Sequence, residues 1–208
     1  MIDFYFSPGS CALASHIALE EAGADYTGHR VDFSQNQQQS ADYLKVNPKG
    51  RVPALITAEG ILTETPAALV YIAQTHPSAA LAPMDNPFAF AKLQAFNSYL
   101  ASTVHVAHAH KGRGSRWSDD EAAWASMQRK VPETMAQCFQ YIEDHAFAGP
   151  YAMGDAYSVA DGYLYTIARW MEGDGVDPAR FPKVHAHMQM MAARPAVLRA
   201  LEAEGLAP

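Results

Sequence analysis

Apolar and other side chains alternate through Ile2-Asp3-Phe4-Tyr5-Phe6, and Ser7-Pro8-Gly9 follows, so residues 2–6 predict a strand that runs into a turn. The period then changes. Over residues 10–22, Leu13 and Ile17 stand four apart with alanines between them, which suits a helix, and Gly23 supplies a C-terminal stop. Residues 26–32 predict a second strand, and a unit of this kind pairs its strands in parallel through a right-handed crossover. Residues 34–39 are polar and glutamine-rich, a surface loop, and residues 41–46 fit one short helix. Ala54-Leu55-Ile56-Thr57 and Ile61-Leu62-Thr63, joined by a turn at Glu59-Gly60, predict a hairpin. Thr65 and Pro66 then read as the N-cap and first position of a helix, which makes the order βαβαββα.

Three prolines and little periodicity between His76 and Pro87 predict a linker, dividing the chain into an α/β domain over 1–76, a connection over 77–87 and an all-α domain over 88–208. No strand pattern follows. Phe88, Leu93, Phe96, Leu100 and Val104 recur at intervals of three to five along a long helix opened by Pro87. Ser118 with Glu121 spells a capping box, and Pro132 either kinks the helix that follows or starts another. Ser158 and Asp161 repeat the cap spacing ahead of Tyr163, Tyr165, Ile167 and Trp170, where Asp161 serves folding by closing a helix start. Pro182 and Pro195 suit the first turns of two last helices.

Composition adds mainly exclusions. With 208 residues, 49% hydrophobic and 18% charged, the chain can bury a core of ordinary globular kind. A net charge of −7 argues against broad binding to nucleic acid or an anionic membrane, and Lys111-Gly112-Arg113-Gly114-Ser115-Arg116 reads as a short solvated loop. No apolar run reaches the roughly 18 residues of a membrane span, and the N-terminus lacks a signal pattern, so the cytoplasm is the expected compartment. Two cysteines, Cys11 and Cys138, suggest neither a disulfide framework nor a cysteine zinc site.

Candidate chemistry gathers at the ends of the first-domain elements. In Asn47-Pro48-Lys49-Gly50-Arg51-Val52-Pro53-Ala54-Leu55 a loop closed by prolines runs into an apolar strand. Pro53 either begins an edge or makes a cis turn, and a cis bond would turn the Val52 N–H and C=O outward as a free pair for an extended peptide. Cys11 falls at the start of the first helix, where unpaired N–H groups favour a thiolate, its own or a ligand's; the alternative is a buried small hydrophobe. Cys138, between Met135 and Phe139, belongs to a core. At Glu64 and Thr65 a hydroxyl and the exposed N–H groups of a helix start could hold a carboxylate while Glu64 receives an ammonium; a plain helix cap reads equally well. His105 and His108 share a helix face, but a metal pair there lacks a third ligand at a matching local spacing.

The motifs Phe4-Tyr5-Phe6-Ser7-Pro8-Gly9-Ser10-Cys11, the proline loop, Leu62-Thr63-Glu64-Thr65-Pro66 and Tyr157-Ser158-Val159-Ala160-Asp161, in this order and spacing, resemble the cytosolic glutathione S-transferases over essentially the whole chain. The cysteine after the first strand resembles the bacterial beta class. The resemblance implies a thioredoxin-like N-terminal domain with cis Pro53, a C-terminal helical bundle, and a homodimer with a glutathione site in each subunit. It implies Val52 pairing with the cysteinyl part of glutathione, Glu64 and Thr65 on its γ-glutamyl end, and Cys11 facing the glutathione sulfur. His105 matches the beta-class histidine that points toward that sulfur, and Tyr5 a first-strand tyrosine that other classes use as a thiolate donor. Alternation with Phe4 and Phe6 can turn Tyr5 the other way. Gln35 falls near a lysine that meets the glycyl carboxylate and lacks its charge; Ser98 falls where the class has an asparagine.

The leading expectation is therefore conjugation of the glutathione thiol, with glutathione as co-substrate and no metal, to a hydrophobic electrophile bound between the turn after Phe6 and the helices around 105–110 and Trp170. Thiol exchange through a mixed disulfide on Cys11 is the second reading, and a non-catalytic dimeric scaffold of the same fold the third.

Overall fold

A computed structural model describes residues 1–207. Strands β1 (Ile2–Phe6), β2 (Tyr26–Arg30), β3 (Ala54–Thr57) and β4 (Gly60–Thr63) form one sheet in the order β2-β1-β3-β4. β1 runs parallel to β2, with Phe4 opposite Gly28, and antiparallel to β3, with Phe4 opposite Leu55; β3 and β4 make the hairpin. This mixed sheet with helices α1 (Ala12–Ala22), α2 (Ala41–Val46) and α3 (Thr65–Thr75) is the thioredoxin-like arrangement, and a helical domain follows it.

Alternation in β1 works as the pattern requires. Ile2, Phe4 and Phe6 point into the core while Tyr5 lies on the opposite face, stacked 4.7 Å from the His29 ring. Helix α1 is buried from Ala12 through Leu19, because it lies between two layers. Ala14 and Ala18 pack in one core with Phe4 and Ile72, while Leu13 and Ile17 pack in another with Tyr165, Val197 and Leu201 of the helical domain. Small residues on one side let the helix approach the sheet, and branched ones on the other bind it to the second domain. Gly162 completes the fit, since a Cβ there would stand 3.1 Å from Ile17 Cγ2.

The helical domain consists of α4 (Pro87–Tyr99), α5 (His105–Ala109), α6 (Glu121–Tyr141), α7 (Val159–Ala168), α8 (Pro182–Ala192) and α9 (Pro195–Glu204). A π-helical segment, Leu100–Val104, joins α4 to α5 without a break, so a widened turn directly precedes His105. Leu93, Phe96, Leu100 and Val104 are buried as their spacing demands, but Phe88 is 72% exposed at the start of the rod. The Ser158–Asp161 capping box is present, and the buried Asp161 carboxylate also accepts from the Ala152 N–H at 2.7 Å and faces His187 Nε2 at 3.0 Å.

Two caps differ from the sequence expectation. Glu64, with φ 75°, occupies the cap position of α3, which makes Thr65 and Pro66 its first two helical residues. Asp120, not Ser118, caps α6 by accepting from the Ala122 N–H at 2.9 Å; Ser118 Oγ instead accepts from the Asp120 N–H. Pro132 sits inside the continuous helix α6.

Candidate active site

A cavity of about 380 Å³ opens between the loops at one end of the sheet and the α4–α5 rod. Its floor is the turn before α1. There Gly9, at φ 69°, is held through both backbone groups by the helical domain: its N–H donates to Glu204 Oε2 at 2.9 Å and its C=O accepts from Trp170 Nε1 at 3.0 Å. Ser10 Oγ donates to the Ser7 C=O at 2.7 Å, and the next residue, Cys11, stands at the cap position of α1.

The Val52-Pro53 bond is cis. The loop before it is secured by the Tyr43 hydroxyl and the Asn47 amide, which both donate to the Arg51 C=O at 2.6 Å. The expectation of an outward, free Val52 pair holds for one group only. Its N–H has no hydrogen-bond partner among the described residues, but its C=O accepts from the Cys11 thiol, with Sγ at 3.5 Å. Of the readings open at Cys11, its own thiolate, a ligand's thiolate or a buried small hydrophobe, the structure disfavours the first. Burial pushes its thiol up, the Thr65 hydroxyl pulls it down, and the Glu64 carboxylate pushes it further up. It is a protonated donor at neutral pH.

Glu64 and Thr65 line the same cavity. Lys49 Nζ bonds the Glu64 carboxylate and donates to Thr63 Oγ1 at 2.7 Å, so an ammonium group already occupies the position that the sequence reading gave to a ligand's ammonium. On the opposite wall the His105 ring meets Trp170 edge-on at 5.1 Å, and His108 stacks on the same indole at 4.2 Å. Burial first, then His108 and the cations of Arg113, Arg116 and Arg51, lower the His105 pKa to about 4, so its imidazole is neutral at pH 7. His108 Nδ1 lies 2.6 Å from the buried Asp174 carboxylate, which makes Nδ1 the donor of that pair and orients the ring. Tyr163 lines the cavity too, and burial raises its hydroxyl far above the ordinary range, keeping it a neutral donor.

Of the residues singled out in the sequence, Cys11, Val52, Pro53, Glu64, Thr65 and His105 thus share one cavity. Tyr5, Gln35 and Ser98 lie outside it. Tyr5 packs on the far face of the sheet against His29 and Tyr43; Gln35 is exposed; Ser98 is exposed on α4, where its C=O accepts from Ser102 Oγ. The contributors missed include Phe33 and Tyr163. Arg113, Arg116 and Trp117, in the stretch read as a solvated loop, line the cavity mouth together with Arg51. Their signal was the run of cations straight after the histidine helix. Among the described residues no group of three or more His, Cys, Asp or Glu side chains could hold a metal ion, and no helix is long and apolar enough to cross a membrane.

Residues 3–74 match the family model for the glutathione S-transferase N-terminal domain and residues 65–195 that for the C-terminal domain. The chain belongs to the glutathione S-transferase family. It is 34% identical over 207 residues to glutathione S-transferase GstA of Escherichia coli O157:H7, covering 97% of this chain and 98% of that protein. A glutathione transferase homologue from Sulfitobacter, solved with bound glutathione, superimposes with a TM-score of 0.95 at 47% identity, over 100% of this chain and 99% of that one. The bacterial beta class glutathione S-transferase of Sphingomonas chungbukensis gives 0.86 at 34% identity, over 99% and 100%.

Proposed function

We propose that the protein conjugates glutathione to a small electrophile, acting in the cytoplasm as a homodimer with a detoxifying role. The observation that carries this reading is the convergence of Cys11, Val52, Glu64, Thr65 and His105 on one cavity from four separate stretches of chain. The free Val52 N–H donates to the cysteinyl C=O of glutathione in strand fashion. The Thr65 hydroxyl and the first N–H groups of α3 hold the γ-glutamyl carboxylate, and Glu64 exchanges the Lys49 ammonium for that of the tripeptide.

The glutathione sulfur then lies near the start of α1. Positive partial charge there and a hydroxyl donor such as Tyr163 stabilise the thiolate. The thiol proton passes to an imidazole, the candidate being His108, whose Nδ1 is paired with the Asp174 carboxylate. The sulfur forms its bond to the electrophilic carbon as the leaving group departs with its electron pair.

Thiol exchange through Cys11 is the weaker reading, since a thiol pushed up by burial is a poor nucleophile at neutral pH. Thermal unfolding with and without millimolar reduced glutathione tests the site, because a ligand at about 100 times its Kd adds roughly 2.7 kcal/mol. An upward shift, with conjugating activity surviving in Cys11→Ala, is the expected result. Activity lost with Cys11 would move the assignment to exchange, and no shift in a folded protein would leave a non-catalytic scaffold. A monomeric mass in solution at micromolar protein would remove the homodimer.

A further inference from the structure

The cavity is cationic on an acidic protein. Arg51, Arg113 and Arg116 line it, and none of them meets a carboxylate among the described residues, whereas Glu64, the one acidic side chain in the lining, is held by Lys49. The chain as a whole carries −7, so these cations are not part of a generally basic surface. All three line one cavity, and burial first, then the charges of Arg113 and Arg51, lower the pKa of Arg116. Like charges gathered at a cavity mouth with no internal counter-ion repel, and an anion bound there relieves the repulsion.

Glutathione accounts for only part of this charge. Its γ-glutamyl carboxylate is assigned to Thr65 and the start of α3, and its glycyl carboxylate, at the other end of a peptide paired with Val52, comes beside the adjacent Arg51. Arg113 and Arg116 stand on the loop after α5, next to the two imidazoles where the second substrate reacts. That loop also carries flat apolar surface. The Arg113 guanidinium lies 5.7 Å from the Phe33 ring centroid, and the Trp117 indole, 44% exposed, borders the same mouth.

Resting on the glutathione reading, we infer that the second substrate is an electrophile bearing a carboxylate or sulfonate beside an aromatic or other flat unsaturated group, with Arg113 and Arg116 binding the anion and Phe33 and Trp117 flanking the flat part.

Two measurements on the full chain test this separately from the glutathione reading. The first is calorimetric binding of two unreactive probes, 3,5-dinitrobenzoate and neutral 1,3-dinitrobenzene, without glutathione. The acid is expected to bind about tenfold tighter, and the advantage to vanish in Arg113→Gln/Arg116→Gln while Arg113→Lys/Arg116→Lys keeps part of it. The second is the ratio of kcat/KM for 4-chloro-3,5-dinitrobenzoate to that for 1-chloro-2,4-dinitrobenzene, expected to fall about tenfold in the double glutamine variant. Equal binding of the two probes by the wild type, or an unchanged ratio in the variant, would overturn the inference. So would a variant whose only loss is the glutathione-dependent thermal shift, because the arginines would then belong to the tripeptide. Preference for the acid probe in a protein that gives no shift with glutathione would leave the anion site standing and remove the transferase reading instead.

Discussion

The N–H of Gly9 donates to the carboxylate of Glu204 across 195 positions of sequence. The other oxygen of that carboxylate lies 2.9 Å from His16 Nδ1, and His16 Nε2 lies 2.8 Å from the Tyr26 hydroxyl, which donates to Glu20 at 2.5 Å. One buried side chain near the end of α9 therefore sets the turn that places Cys11 and ties α1 to the last helix. The cavity floor is built by both domains.

Replacing Glu204 by alanine leaves the Gly9 N–H and the His16 ring without their partner in a dry interior. The expected cost is about 3 kcal/mol, because breaking a buried pair strands the remaining polar groups. Urea unfolding measures it. A loss below about 1 kcal/mol would mean that the Trp170 bond and the apolar contacts around α1 hold the turn without Glu204.

The depressed His105 pKa makes a pH prediction. Its folded value of about 4 lies below the ordinary 6.5 or so, so the unfolded chain takes up the proton first as pH falls. The contribution is fully present above about pH 6.5 and is lost as pH drops toward 4. Wild-type melting temperature should therefore fall more steeply than that of His105→Gln between pH 7 and pH 4.5. Proton NMR of the His105 ring offers a direct reading, and a midpoint at or above 6 in the free protein would contradict the burial argument.

Gly114 is where the arginine loop meets α6. A Cβ there would stand 2.8 Å from Cβ, Cγ and Cδ1 of Trp124, whose indole N–H is itself committed to the Ser118 C=O at 2.5 Å. Since the ring cannot swing away without losing that bond, Gly114→Ala should displace the loop. Overpacking of this kind costs about 1–3 kcal/mol. Steady-state kinetics should show kcat/KM for the second substrate falling more than that for glutathione, and an equal fall in both would place the damage in the whole fold.

Strands, helices and the parallel first unit were legible because each follows from contacts within a few residues: alternation in β1, the four-residue spacing of Leu13 and Ile17, the stop at Gly23. The same is true of the Ser158–Asp161 box, whose two hydrogen-bonding ends are three residues apart. Caps failed by a residue or two. The hairpin leaves β4 in a direction that puts Glu64, at positive φ, in the capping position, and no propensity of Thr65 encodes that direction. Ser118 lost its cap to Asp120 because its Oγ accepts from the Asp120 N–H ahead of the helix, leaving the first helical N–H to the Asp120 carboxylate.

Within the site, the residues carried by compact motifs were found: Cys11 after the first strand, Val52 and Pro53 in the proline loop, Glu64 and Thr65 at a helix start. What the sequence by itself determined is thus the set of elements and the one-sided chemistry at their ends, because hydrogen-bonding period and helix termini are short-range properties. Tertiary structure alone decided that Asp174 would orient His108 from 66 positions away, that Glu204 would hold Gly9, and that Arg113 and Arg116 would turn from an ordinary charged loop into the wall of a cavity. The Gly9–Glu204 meeting depends on how α1 seats between the two domains and the His108–Asp174 meeting on packing within the helical domain, and charge or exposure at one position in a sequence carries no record of what the fold brings against it.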